Sequence, residues 1–208
     1  MISQKEKYIS TLEKFLPTGT ENYIAGLIIS CKTHFKISAK RKTKLGDYRM
    51  PHDGKGHRIS VNGDLNEYAF LVTTVHEFAH LKAFEDFGKR IKPHGIEWQK
   101  SFAELFQPIL QLKILPTDVT LALNNYLKKA KASSCTDDAL YRVLKRYDKE
   151  QHLRVEHLKL GDKFILNNLK FEKGKKLRKY YLCRNITNNR QYRVLGVAEI
   201  QEQLNEQA

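Results

Sequence analysis

Apolar positions recur at helical spacing through most of the first 130 residues and give way to short alternating runs after about residue 160. The longest helical stretch runs from Asn66 to Phe87 without Pro or Gly. Its stripe is built from Tyr68, Ala69, Leu71, Val72, Val75, Ala79, Ala83 and Phe84. Asp64 or Asn66 can cap its start, and Gly88 supplies a stop. The pattern predicts further helices over Gln4–Phe15, from Thr18 or Thr20 to Ile29, over Glu97–Leu110, and over Thr117–Lys129 behind Pro116. His34–Ala39, Leu45–Met50 and Arg58–Val61 alternate instead, and a Pro- and Gly-containing turn over residues 51–56 joins the last two.

Beyond Lys131–Ser134, read as a linker or turn, a helix is expected over Thr136–Tyr147 with Asp137 and Asp138 at its start. Short strands are predicted at Lys163–Leu166, Lys170–Glu172, Lys179–Arg184 and Gln191–Leu195. Val197–Gln203 reads as a strand end or short helix, and Asn205–Ala208 as a frayed tail. The expected fold class is α+β: helices packed on a sheet of three or four strands over residues 1–130, then a basic β-rich unit over 131–208. Ile59–Asn62, just before the longest helix, is expected to be the sheet edge that takes a peptide as an added strand, or its neighbour.

That longest helix carries His76-Glu77-Phe78-Ala79-His80, an H-E-x-x-H pattern. Residues four apart lie about 40° apart around a helix axis and roughly 6 Å apart along it. Both imidazoles can therefore reach one zinc ion, and the intervening glutamate can reach a water on it, the arrangement of a metal-dependent peptidase. The competing reading is a pair of buried histidines that serve only packing. A catalytic zinc takes three protein ligands and leaves one position open. Two candidates for the third lie in Lys92-Pro93-His94-Gly95-Ile96-Glu97-Trp98, namely His94 and Glu97. Glu85 lies half a turn round from His76 and points away.

His76–His80 followed by His94-Gly95-x-x-Trp98 resembles the SprT-like metalloprotease family, which includes the Spartan-type proteases of DNA–protein crosslink repair. The runs Lys44–Arg49 and His57–Asn62 resemble the stretch before the metal helix in bacterial members, so the likeness covers roughly residues 20 to 110. The resemblance implies a zincin-like core with His76, His80 and His94 as Zn2+ ligands and Glu77 as catalytic general base. It implies an endopeptidase acting on DNA-bound or DNA-crosslinked proteins, with single-stranded or junction DNA as partner. One feature departs from many relatives: Cys31, Cys135 and Cys183 fall outside ligand spacing of one another, so no C-terminal zinc ribbon is expected.

Charge adds a second theme. The net charge is +14 over 208 residues. Residues 151–195 hold twelve Lys and Arg against three acidic residues, and residues 32–58 nine against two, so these segments carry the whole excess. In the later one, Lys173, Lys175, Lys176, Arg178 and Lys179 precede Tyr180, Tyr181 and Tyr192, a mixture suited to phosphates and unpaired bases. The alternative is a solvated face over a small β core. The second functional reading is accordingly a nucleic-acid-binding module with a structural or inactive zinc site. Three scattered cysteines, an N-terminus unlike a signal peptide and the absence of a long apolar run point to a cytoplasmic protein without membrane contact.

Overall fold

The structure, a computed structural model, describes residues 2–41, 43–129 and 137–204. The expected linker Lys131–Ser134, Cys135, Thr136 and the tail Asn205–Ala208 lie outside the described residues. The chain divides into two compact units, Met1–Lys149 and Glu150–Ala208.

In the first unit α1 (Gln4–Leu12) starts at Ser3, whose side chain accepts from the Glu6 N–H while the Glu6 side chain accepts from the Ser3 N–H. α2 (Glu21–Ser30) follows. Three strands come next: β1 (His34–Ser38), β2 (Gly46–Arg49) and β3 (Arg58–Asn62). Their order is β1-β3-β2, with β1 parallel and β2 antiparallel to β3. The Ile59–Asn62 segment is thus internal, and it neighbours both edges, β1 and β2. Ile59 and Val61 are fully buried, which suits a middle strand, whereas β2 carries Gly46, Asp47 and Arg49, residues a sheet edge tolerates.

α3 (Glu67–Phe87) is capped by Asn66, whose side chain accepts from the Ala69 N–H, and it stops at Gly88, whose φ of 79° is open to glycine at no steric cost. α4 (Ile96–Gln111) and α5 (Thr117–Lys129) follow. α6 (Asp138–Leu144) is capped by Asp137, which accepts from the N–H groups of Ala139 and Leu140. It belongs to the first unit, because Leu140 and Leu144 enter that core and the Leu144 carbonyl accepts from the Asn66 side chain at 2.9 Å. The two compact units accordingly meet after residue 149. Phe70, Phe78, Trp98, Phe102 and Phe106 form the centre of the core, each fully or almost fully buried. Burial of one such ring stabilises by about 1.5–3 kcal/mol, and together they make α3 and α4 a firm platform.

The second unit is an antiparallel sheet of β4 (Lys163–Leu166), β5 (Leu169–Glu172), β6 (Tyr180–Asn185), β7 (Gln191–Leu195) and β8 (Glu202–Leu204), in the order β7-β6-β5-β4-β8. The end of the expected Val197–Gln203 element is β8, which pairs with β4. Val155, Phe164, Phe171, Cys183 and Ile200 form its small core. Lys173 is buried there. Its ammonium donates to the carbonyls of Leu158 and Glu156 and lies 4.1 Å from the centroid of the Tyr181 ring. Burial holds its pKa below the usual lysine value. Lys173 is therefore removed from the charges a ligand could meet, and its ammonium covers the Tyr181 ring. The fold is α+β, with six helices and two sheets among the described residues. None of the described helices is long and apolar enough to cross a membrane.

Candidate metal centre

α3 turns His76 and His80 to one side, and the turn ahead of α4 brings His94 to meet them. The three Nε2 atoms form a triangle with edges of 3.2 Å (His76–His80), 3.2 Å (His76–His94) and 3.0 Å (His80–His94). These residues are the one group of three or more His, Cys, Asp or Glu among the described residues that could hold a metal ion. Glu97, the other candidate ligand, is not in the group. One of its carboxylate oxygens lies close to Gly95, near where a Cβ would be.

The donor set fits a zinc ion. Four ligands at about 2.0–2.1 Å in a tetrahedron put neighbouring nitrogens about 3.3 Å apart. The triangle cannot be satisfied by hydrogen bonds alone. A neutral imidazole offers either one N–H or one lone pair at Nε2, so at least one edge must pair like with like. A cation at the centre satisfies all three lone pairs together. The protonation state is right for this. Burial, reinforced by the neighbouring His80 and His94, lowers the His76 pKa to about 3. Burial and His94 lower that of His80 to about 4, and burial lowers that of His94. Neutral imidazole is the form that binds metal.

Three details hold the triangle in place. His94 adopts a left-handed backbone, φ 59°, between Pro93 and Gly95, a conformation that costs a non-glycine residue about 1 kcal/mol and that clusters at functional sites. Gly95 is needed for closeness, since a Cβ would stand 2.9 Å from the Lys92 carbonyl oxygen and 3.0 Å from Glu97 Oε2. Trp98 is 2% exposed and lies under all three imidazoles, with ring centroids 4.7, 5.5 and 5.0 Å from those of His76, His80 and His94.

Glu77 faces β2. Its carboxyl rests against Gly46 so closely that a Cβ there would overlap Oε1, Cγ and Cδ. Burial, with the nearby Asp47 carboxylate, raises the Glu77 pKa to about 7, and the Tyr48 backbone N–H pulls the other way. Gly46 is a functional position that motif reading misses, although a glycine within a strand pattern signals close approach of another group. Glu85 is not in the group and has a partner in His57 at 2.9 Å. His52 is exposed and pairs with Asp53. Of the basic residues in 32–58, Arg41 is bound to Asn62 and Ser60, and Lys44 and Arg49 both pair with Asp47, so part of that charge serves the sheet.

No family model matches the chain, and no solved structure matches it significantly. Curated sequences do match. Protein SprT of Pseudomonas fluorescens is 35% identical over 92 residues, covering 40% of this chain and 56% of that protein. Protein SprT of Shewanella oneidensis is 38% identical over 84 residues, covering 36% of this chain and 53% of its own length. The chain thus spans about half the length of the curated relatives it matches. These matches, like the two spaced histidine motifs, make the chain similar to the SprT proteins over about half of their length.

Proposed function

We propose that this protein is a zinc-dependent endopeptidase of zincin-like architecture, with His76, His80 and His94 as metal ligands and Glu77 as general base. One observation carries the reading: three neutral imidazole nitrogens converge to 3.0–3.2 Å while a buried carboxyl from the same helix is aimed at the adjoining sheet edge. Zinc held there would supply a Lewis acid and would lower the pKa of a bound water to about 7. Glu77, poised near neutrality, takes a proton from the attacking water and returns it to the leaving amine. Trp98 excludes water from beneath the imidazoles. The substrate backbone pairs with the outer edge of β2. The Asn62 N–H bonds to the Leu45 carbonyl at 2.9 Å. The alternation of an antiparallel ladder then leaves the Gly46 peptide group and the Tyr48 carbonyl facing away from β3, where an added strand can meet them, while the Tyr48 N–H serves Glu77.

The substrates in this reading are proteins held on DNA. What supports it is the exposed charge of the second unit, where Lys175, Lys176, Arg178 and Lys179 all reach solvent beside Tyr180. The test combines elemental analysis with cleavage of a DNA-bound or DNA-crosslinked protein, with and without single-stranded DNA. Wild type is expected to carry one zinc and to cleave. Glu77→Gln is expected to keep the zinc and to lose activity by about 10²–10⁴-fold. Stoichiometric zinc without proteolysis under any of these conditions would leave a structural metal site and a binding module.

A further inference from the structure

Tyr48 bridges the two halves of the candidate centre. Its backbone N–H serves Glu77, and its ring stacks on that of His80, 2° from parallel with centroids 6.3 Å apart. Its hydroxyl meets His57 Nδ1 at 3.0 Å, and His57 Nε2 meets Glu85 Oε1 at 2.9 Å. These residues come from the edge strand, the residue just before β3, and α3 a little over one turn beyond His80.

The protons in this network can be placed. An ionised carboxylate only accepts, so His57 donates to Glu85 from Nε2. When the ring is neutral, Nδ1 is then an acceptor and the Tyr48 hydroxyl donates to it. What the network can do is hold position. The His57 ring is further packed edge-on against Phe84, with centroids 5.7 Å apart. The far end is wet: the Glu85 side chain is 55% exposed, and His57 and Glu85 line an open cleft of about 430 Å3 with Cys31, Lys32 and Leu81.

We propose that Tyr48, His57 and Glu85 form a positioning triad that fixes the His80 imidazole face and the β2 edge relative to each other, so that ligand geometry and the seat of Glu77 are set together. This rests on the metal-centre reading above. Partners hydrogen-bonded to a metal ligand are worth about 10–100-fold in metal affinity or activity, and Tyr48, which meets His80 through ring packing, is expected at the lower end.

The test titrates cobalt(II) into the metal-depleted full chain and its variants, reading the dissociation constant and the visible absorption bands, with a thermal melt of each metal-free form. Tyr48→Phe keeps the ring and removes the donor, and Glu85→Ala removes the terminal acceptor. Each is expected to weaken cobalt binding by about tenfold and to alter the bands. Glu85→Gln still offers an oxygen to His57 and is expected to stay near wild type. The Tyr48→Phe/Glu85→Ala double variant is expected to be no weaker than either single one, because the network is already broken. Wild-type affinity and bands in Tyr48→Phe and Glu85→Ala, with only the melting temperature lowered, would overturn the triad while leaving the metal centre intact. Losses that multiply in the double variant would overturn it as well. No cobalt uptake by the wild type would remove the metal centre and the triad together.

Discussion

The two units put ionisable groups to opposite uses. In the first, the imidazoles of His76 and His80 are taken largely out of water and kept neutral, and the Glu77 carboxyl is made more basic by the same burial. In the second, Lys175, Lys176, Arg178 and Lys179 stay in solvent, and the one buried lysine there, Lys173, is satisfied by backbone carbonyls and an aromatic ring. The difference is physical. Metal binding and proton transfer need shifted protonation states and therefore a large, rigid core. Attraction to polyanions needs full charges with counterions to release, and a small core supports that well enough. Each unit can be perturbed in a way that should leave the other untouched.

The largest effect is expected from Gly46→Ala. The added methyl would occupy the space of the Glu77 carboxyl, whose Oε1 lies 2.3 Å from the Cβ position, so the side chain must move off its seat. Displacing a general base costs about 10²–10⁴-fold in rate, and a loss of at least 10²-fold in peptide hydrolysis is expected. Zinc content and the visible bands of a cobalt-substituted form should stay as in wild type, since no ligand touches Gly46. Wild-type turnover in this variant would mean that Glu77 acts from elsewhere or does not act.

The ease of reading these features from sequence follows their range along the chain. His76, Glu77 and His80 are legible because one turn of helix sets their spacing, and α3 is announced by its stripe and by Asn66 and Gly88. α5 spans the residues that Pro116 and Thr117 predict. His94 was legible only as one of two candidates until the family resemblance chose between them. The seat at Gly46 was invisible because it is a contact between a strand and a helix thirty-one residues later, and local pattern carries nothing about it. The order β1-β3-β2 was hidden for the same reason: a parallel pairing of His34–Ser38 with Arg58–Asn62 skips over β2. α6 looks self-contained in sequence, while Leu140 and Leu144 are held by the first core, a long-range contact that local pattern does not carry.

A second effect separates the burial of Glu77 from its chemistry. In the metal-depleted protein the Glu77 pKa stands at about 7 against an ordinary 4.5, so the folded state holds this proton more tightly than the unfolded chain does. The resulting stability is complete below pH 4.5 and is lost as pH rises through about 7. Glu77→Gln cannot ionise and escapes that loss. Relative to wild type it should gain up to about 3 kcal/mol between pH 4 and pH 8. His76 and His80 act with the other sign. Their pKa values of about 3 and about 4 give stability that is present above pH 6.5 and lost as pH falls through those values, equally in both proteins. Urea melts of the two metal-depleted proteins at pH 4 and pH 8 isolate the glutamate. An unchanged difference between them would show that its folded environment does not disfavour charge.

The smallest effect is expected from the second unit. Replacing Lys175, Lys176, Arg178 and Lys179 together by Gln removes four exposed cations without touching a strand core. If each meets a phosphate, the dependence of log affinity on log salt for single-stranded DNA should become shallower by about 3, because each contact contributes about 0.7. Affinity near physiological salt should fall with it, zinc content staying unchanged. Lys173→Met is the matched control. It removes a cation of the same segment, but one that is buried under Tyr181 and out of reach of phosphate, so it should lower the melting temperature while leaving the salt slope as it was. An unaltered slope in the fourfold variant would assign DNA attraction to the exposed part of residues 32–58 or remove it, and the division of labour between the two units would go with it.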